Sequence, residues 1–190
     1  MNKFFFSALC IITLNFVSVS AYSDEYVIDT KGAHAFVQFR VKHLGYSWLY
    51  GRFNDFSGEF TYDAENPAKN KVSVTVDMAS LDSNHAERDK HLRSSDFLNV
   101  SKYGTASFTS KGYKPTGKDK AVISGDLTLF GETREVSFDV ERIGGGKDPW
   151  GGFRQGFEGK LTINPENWGA KMSFPITEVE LTLSVEGIRK

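Results

Sequence analysis

An all-β domain is the fold class this sequence predicts, and three observations predict it. Segment after segment alternates apolar and polar residues with period two, the connectors are short and rich in turn formers, and a single stretch carries a helix signature. Taken from the N-terminus, the first element lies outside the fold. Lys3 precedes an apolar run from Phe4 to Val17, broken by Ser7, Thr13 and Asn15, and the small residues Val19, Ser20, Ala21 and Ser23 follow. That layout is a secretory signal peptide over residues 1–23, cleaved after Ala21 or Ser23, and the run is shorter than the roughly 20 apolar residues of a membrane span. No later stretch approaches that length, so stable membrane insertion is not expected. Cys10, the sole cysteine, lies inside the apolar run. Residues 24–190 are therefore expected to form one thiol-free domain held by packing alone, and their length suffices for one ordinary core.

The strands follow in order. Ala35 to Val41 and Phe56 to Tyr62 are the first two, and between them lies an unusual stretch from Arg40 to Phe53. Its Tyr46, Trp48, Tyr50 and Phe53, flanked by cations and hinged on Gly45 and Gly51, read either as a tight corner packed on the domain or as an aromatic entrance. Val72, Val74, Val76 and Met78 alternate with Ser73, Thr75 and Asp77. Asn84 to Arg93 then breaks the alternation: Asn84 with Glu87 three residues on matches a capping box, and Lys90, His91 and Arg93 suit the far pole of a helix. With only Ala86 and Leu92 apolar, this helix belongs on the surface or across a barrel mouth.

Ala106 to Tyr113 and Val122 to Leu129 are strands joined by a turn containing Pro115 and Gly117, and Phe130-Gly131-Glu132 reads as the next hairpin turn. Val136, Phe138 and Val140 alternate with Ser137, Asp139 and Glu141. Gly144-Gly145-Gly146 with Asp148 to Gly152 reads as a flexible loop. Phe157, Gly159, Leu161 and Ile163, then Val179, Leu181, Leu183 and Val185, complete the series, each alternating with polar neighbours. Each such segment sets one face on a core and one in water. Eight strands with short turns fit a closed antiparallel barrel, which removes exposed edges and can enclose a ligand; a two-sheet sandwich shares the signature.

Composition excludes several functions. The formal net charge is −1, and Lys and Arg are scattered, so nucleic acid is not an expected partner. His85 and His91, six apart, sit roughly 120° from each other around a helix, and no H-E-x-x-H pattern occurs, so no metal site is expected. Gly45-Tyr46-Ser47-Trp48-Leu49 departs from a nucleophile elbow at its last residue, and the glycines at 144–146 lack the dinucleotide spacing. Neither an enzyme nor a catalytic cofactor is expected. Aromatics are abundant: all but four of the 16 Phe lie beyond the signal, with seven Tyr and three Trp in the chain. They fit either a filled aromatic core or a lined cavity.

Long segments carry a family resemblance: His34 to Val37 with Phe39-Arg40, His43 to Gly51, Asn84 to Ser94 with Asp96 to Leu98, Ser124 to Leu129 with Gly131, Asp148 to Gly152, and Ser184 to Gly187. On these the sequence closely resembles the YceI-like family of periplasmic, lipocalin-like proteins. The resemblance implies an eight-stranded antiparallel barrel with a short surface helix. It also implies a periplasmic carrier whose barrel holds a long isoprenoid lipid, of polyprenyl phosphate type or an isoprenoid quinone. The second reading, from a different class, is a periplasmic stress or interaction protein with a filled barrel and a surface partner. The candidate mouth residues are the polar and aromatic members of those segments: His34, Arg40, His43, Tyr46, Trp48, His85, Arg88 and Trp150. A monomer or a homodimer suits such a carrier.

Overall fold

The computed structural model describes residues 23–174 and 176–190, so the signal expected over residues 1–23 lies outside the described residues apart from Ser23. Eleven strands are described: β1 (Asp24–Ile28), β2 (Phe36–His43), β3 (Ser47–Phe53), β4 (Phe56–Tyr62), β5 (Lys71–Asp77), β6 (Leu81–Asp82), β7 (Thr105–Gly117), β8 (Lys120–Leu129), β9 (Glu132–Lys147), β10 (Phe153–Ile163) and β11 (Val179–Arg189). The one α-helix among the described residues is α1 (Ala86–Arg93). Eight strands close into an antiparallel barrel in the order β1-β4-β5-β7-β8-β9-β10-β11, and β11 returns to β1 through Val27–Ile188 and Ile28–Gly187. Closure decides for a barrel over a sandwich.

One expected barrel strand is not in that ring. β11 shares a single edge between two partners: residues 187–189 pair with β1, and residues 180–184 pair with β2. β2 then carries β3, and β3 carries the two-residue β6, so these three form an arm on the barrel wall. The ring place falls to β1, whose five residues are too short to display an alternation in sequence, although Tyr26 and Ile28 are buried and Val27 is exposed.

Four local expectations change. The aromatic stretch from residue 40 onward is no corner: it is the hairpin of β2 and β3, paired from Val37–Phe53 to His43–Ser47. Gly144 to Gly146 are not a flexible loop but lie within β9, and the Gln155 side chain packs on Gly145 where a Cβ would sit. Asn84 does not cap α1. It adopts a positive φ of 64°, and His85 caps instead, its Nδ1 accepting from the Arg88 N–H at 3.2 Å. The turn after β8 is also tighter than expected, with Leu129 pairing Glu132 across Phe130-Gly131.

The alternating apolar residues read from the sequence are the barrel's inner face. Val72, Val74 and Val76 of β5, Phe138 and Val140 of β9, Phe157, Leu161 and Ile163 of β10, and Val179, Leu181, Leu183 and Val185 of β11 all face one interior space. The buried core divides into two clusters. One gathers Met78, Ala106, Leu127, Leu129, Ile163 and Trp168; the other gathers Tyr26, Ile28, Ala35 and Phe60. A solidly packed domain of this size normally has one contiguous core, so the division marks an unfilled interior. Among the described residues no helix is long and apolar enough to cross a membrane.

Candidate functional site: an apolar barrel cavity with a cationic mouth

The interior holds a cavity of about 440 Å³, inside the range of ligand pockets but in its lower half. Its walls are the inward residues of the ring strands together with Val37, Phe39, Val41, Leu49 and Phe53 from the β2–β3 arm. Among the described residues no Asp or Glu lines it. At one end Tyr26 stacks on Phe60 at 4.9 Å, and Phe157 meets Phe60 and Tyr62 edge-on at 5.5 and 5.3 Å. Polar groups also reach this end: Thr61, Asn70, Lys71 and the Tyr113 phenol, whose pKa burial pushes up.

The opposite end is the mouth. The β2–β3 turn brings Lys42, His43 and Leu44; α1 brings Arg88, His91 and Leu92; the β8–β9 turn brings Phe130; and Phe97, Met172 and Phe174 complete the rim. Two of these turns share an unusual feature. Leu44-Gly45 and Phe130-Gly131 each place two consecutive residues at positive φ, at 53° and 79° and at 50° and 78°. Such turns favour Asn or Gly first, because a branched or bulky side chain is uncomfortable there. Both turns instead carry a large apolar residue at that position, and both residues line the cavity mouth.

The helix is held over the mouth by charged bonds. Buried Asp89 accepts from the Ser83 N–H at 2.8 Å and from the Ser83 hydroxyl. Arg88 Nε donates to Ser83 Oγ at 2.7 Å, and its Nη2 donates to the Ser83 carbonyl. His91 Nε2 lies 3.2 Å from Asp96 Oδ2, with its ring edge-on to Phe97. A polar recess opens beside the mouth, lined by His43, Trp48, Tyr50, Ser83, Asn84 and Arg88.

The eight residues expected at a mouth divide among four places. His43 and Arg88 line both the cavity and the polar recess. Arg40, Tyr46 and Trp48 belong to the hairpin but face away from the cavity: Arg40 pairs with Glu180 at 2.6 Å and stacks on the Trp48 ring at 4.1 Å. Period two explains this, since Arg40 falls between Phe39 and Val41, which face inward. His85 is spent as the cap of α1. His34 and Trp150 are outside the barrel in an ion-pair cluster. There Arg154 Nη1 meets Asp29 Oδ2 at 2.7 Å and the Glu186 carboxylate, while its Nε meets Asp148 Oδ2 at 3.0 Å. His34 Nδ1 lies 3.0 Å from Asp29 Oδ2, and the exposed Trp150 ring lies 5.4 Å from the Arg154 guanidinium. The His34 bond, then Arg154 and the Gly32 N–H, hold the Asp29 carboxyl down to about 2 against its burial. Asp29, His34 and Glu186 cluster closely enough to suggest a metal site, but their oxygens already face the Arg154 guanidinium.

Sequence reasoning missed Lys42, Leu44, His91, Phe130 and Phe174 at the rim. His43 follows from the inward series Val37, Phe39, Val41; the others depend on where turns and α1 come to rest, and no local pattern carries that.

The comparisons with known proteins agree with this architecture. The model of the YceI-like domain matches residues 26–187. A "UPF0312 protein" of Pseudomonas aeruginosa (strain LESB58) is 55% identical over 192 aligned positions, covering all of both chains. The "Protein YceI" of Escherichia coli O157:H7 is 52% identical over 184, covering 96% of each. Among solved structures, a Campylobacter jejuni YCEI protein matches with TM-score 0.71 at 28% identity, covering 79% of this chain and 90% of that one. A polyisoprenoid binding domain from Saccharophagus degradans matches with TM-score 0.63 at 14% identity, covering 89% of this chain and 100% of that one, a likeness of fold alone. With its eight-stranded barrel and a family model spanning nearly all of the described residues, the chain belongs to the YceI-like family.

Proposed function

We propose that this protein is a periplasmic carrier that binds rather than catalyses, holding the tail of an isoprenoid lipid in the barrel with a polar or anionic head at the mouth. One observation carries the reading: an apolar cavity of about 440 Å³ with no carboxylate among its described lining residues and Lys42, His43, Arg88 and His91 at its rim. An apolar tail gains about 0.8 kcal/mol for each buried CH₂, less the cost of ordering the tail. Lys42 and Arg88 at the rim, with no carboxylate among the described lining residues, favour a negative head, and His43 adds a polar ring beside them. The polyisoprenoid binding named for the Saccharophagus degradans domain supports the ligand class. The N-terminal signal layout, with β1 beginning at Asp24 just past both cleavage points, supports export.

The volume adjusts the ligand. It lies in the lower half of the pocket range, so a tail of dozens of carbons emerges through the mouth, whereas a shorter one is enclosed. The reading with a filled barrel and a surface partner has the cavity against it. Native mass spectrometry and organic extraction of protein taken from its own periplasm test the proposal directly. The expected result is a co-purifying isoprenoid; recovery of apo protein alone, with no isoprenoid uptake in vitro, overturns it. Leu183→Trp, which fills the cavity from β11, is expected to weaken uptake at least tenfold while the barrel still folds.

A further inference from the structure

We infer that the tip of the β2–β3 hairpin is a docking wedge for the surface of a bilayer carrying anionic phospholipid, which brings the barrel mouth against the membrane. The purpose of the wedge rests on the lipid-carrier reading; its existence does not.

The hairpin breaks the rule its neighbours follow. The outward face of β11 is Glu180, Thr182, Ser184 and Glu186, as expected for a strand whose outer side meets water. The corresponding outward positions of β3 are Trp48 and Tyr50, with Tyr46 at the turn, and these rings are 37%, 61% and 87% exposed. Leu44 at the tip is 57% exposed. An exposed Leu at positive φ spends local stability on an apolar side chain in water, and the same turn would accept Asn or Gly without that strain. From Ser47 to Gly51 the outer edge of β3 has no strand partner among the described residues, since β6 pairs only Arg52 and Phe53.

Charge selects the occupant. Between Asp29 and Asp55 the sequence has no Asp or Glu, while Arg40, Lys42, His43 and Arg52 lie on the hairpin. Arg40 and Arg52 are matched by Glu180 and Asp82. Lys42, by contrast, sits 5.6 Å from the Trp48 ring, and among the described residues no carboxylate pairs with it. Trp and Tyr favour the bilayer interface, and cations beside them add attraction to anionic headgroups. The tip also continues into the cavity, because Lys42, His43 and Leu44 line the mouth. A wedge there lets an apolar tail move between bilayer and barrel without crossing water.

The test uses the ligand-free protein and vesicles without isoprenoid. Cosedimentation with phosphatidylcholine vesicles containing phosphatidylglycerol is expected, much weaker with phosphatidylcholine alone, and falling as salt is added. The double variant Leu44→Asn, Tyr46→Ser is expected to bind these vesicles at least about tenfold less. Its thermal midpoint should be no lower than that of the natural chain, because Asn relieves the turn. The single variant Tyr46→Ser, whose exposed ring lies outside the cavity lining, should bind these vesicles less yet still take up isoprenoid from detergent micelles, which separates failure of the wedge from failure of the carrier reading. The inference is overturned if the natural chain ignores phosphatidylglycerol vesicles, if it binds both vesicle types equally, or if the double variant binds as well as the natural chain. It is equally overturned if the double variant leaves vesicle binding intact and only turns a dimer into a monomer, since the occupant is then a second copy.

Discussion

The cavity mouth and the outer cluster around Arg154 use the same residue types to opposite ends. Around Arg154 each charge is consumed: the guanidinium meets Asp29, Asp148 and Glu186, and His34 adds to Asp29. The result ties together three pieces of chain distant in sequence, namely the β1–β2 turn, the β9–β10 turn and β11. At the mouth, the Arg88 guanidinium is anchored on Ser83, and among the described residues no carboxylate joins it in the cavity lining and none pairs with Lys42, whose ammonium lies 5.6 Å from the Trp48 ring. A cation whose counter-charge is built in is structural. A cation at the edge of an apolar hole without one is available to a ligand.

The comparison breaks first at Arg154. Arg154→Ala leaves the nearly buried Asp29 and Asp148 carboxylates without their partner, and removing one member of such a group is far costlier than removing a surface charge. The thermal midpoint at pH 7 is expected to fall by about 5 °C or more, read by circular dichroism, while isoprenoid uptake per folded molecule is unchanged. At the mouth the pattern reverses. Lys42→Glu is expected to leave the midpoint within a degree or two but to lower affinity for an isoprenyl phosphate, relative to the neutral isoprenol, by about tenfold at low salt and less at high salt. Calorimetric titration of both ligands reads the ratio.

Acid sharpens the contrast further. The Asp29 carboxyl is held at about 2 in the folded protein, below its ordinary value, so its contribution is fully present above pH 4. That contribution is lost as pH falls from about 4 toward 2. Asp148 titrates in the same direction: burial opposes its ionised form, but the Gly152 N–H, Arg154 and the Trp150 N–H outweigh it. A midpoint measured across this window should drop, and Asp29→Asn, already less stable at pH 7, should drop less steeply. The smallest effect belongs to Trp150. Its exposed ring only covers Arg154, so Trp150→Ala is expected to cost less than about 1 kcal/mol and to leave uptake untouched.

These differences also measure what was legible beforehand. The inner wall was: Val72 to Val76, Phe157 to Ile163 and Val179 to Val185 line the cavity because alternation alone sends every second residue inward. His43 belongs to the same logic, continuing Val37, Phe39 and Val41. The glycines at 51 and 145 were misread as hinge and loop. The Phe39 ring lies over Gly51 and the Gln155 amide over Gly145, so each glycine makes room for a side chain from the neighbouring strand. Gly51→Ala is accordingly expected to cost about 1–3 kcal/mol in urea unfolding, by forcing Phe39 off its seat.

By itself, then, the sequence determined the class of fold, the identity of the inward faces and the position of the short helix, because period and turn chemistry act over a few residues. Only the tertiary structure decided that β1 and not β2 closes the ring, that the core parts around a cavity, and that His34 and His43 have opposite fates. Each of these depends on which strands share the single free edge of β11. That edge is allotted by pairing between residues some 150 positions apart, a separation that no local pattern encodes.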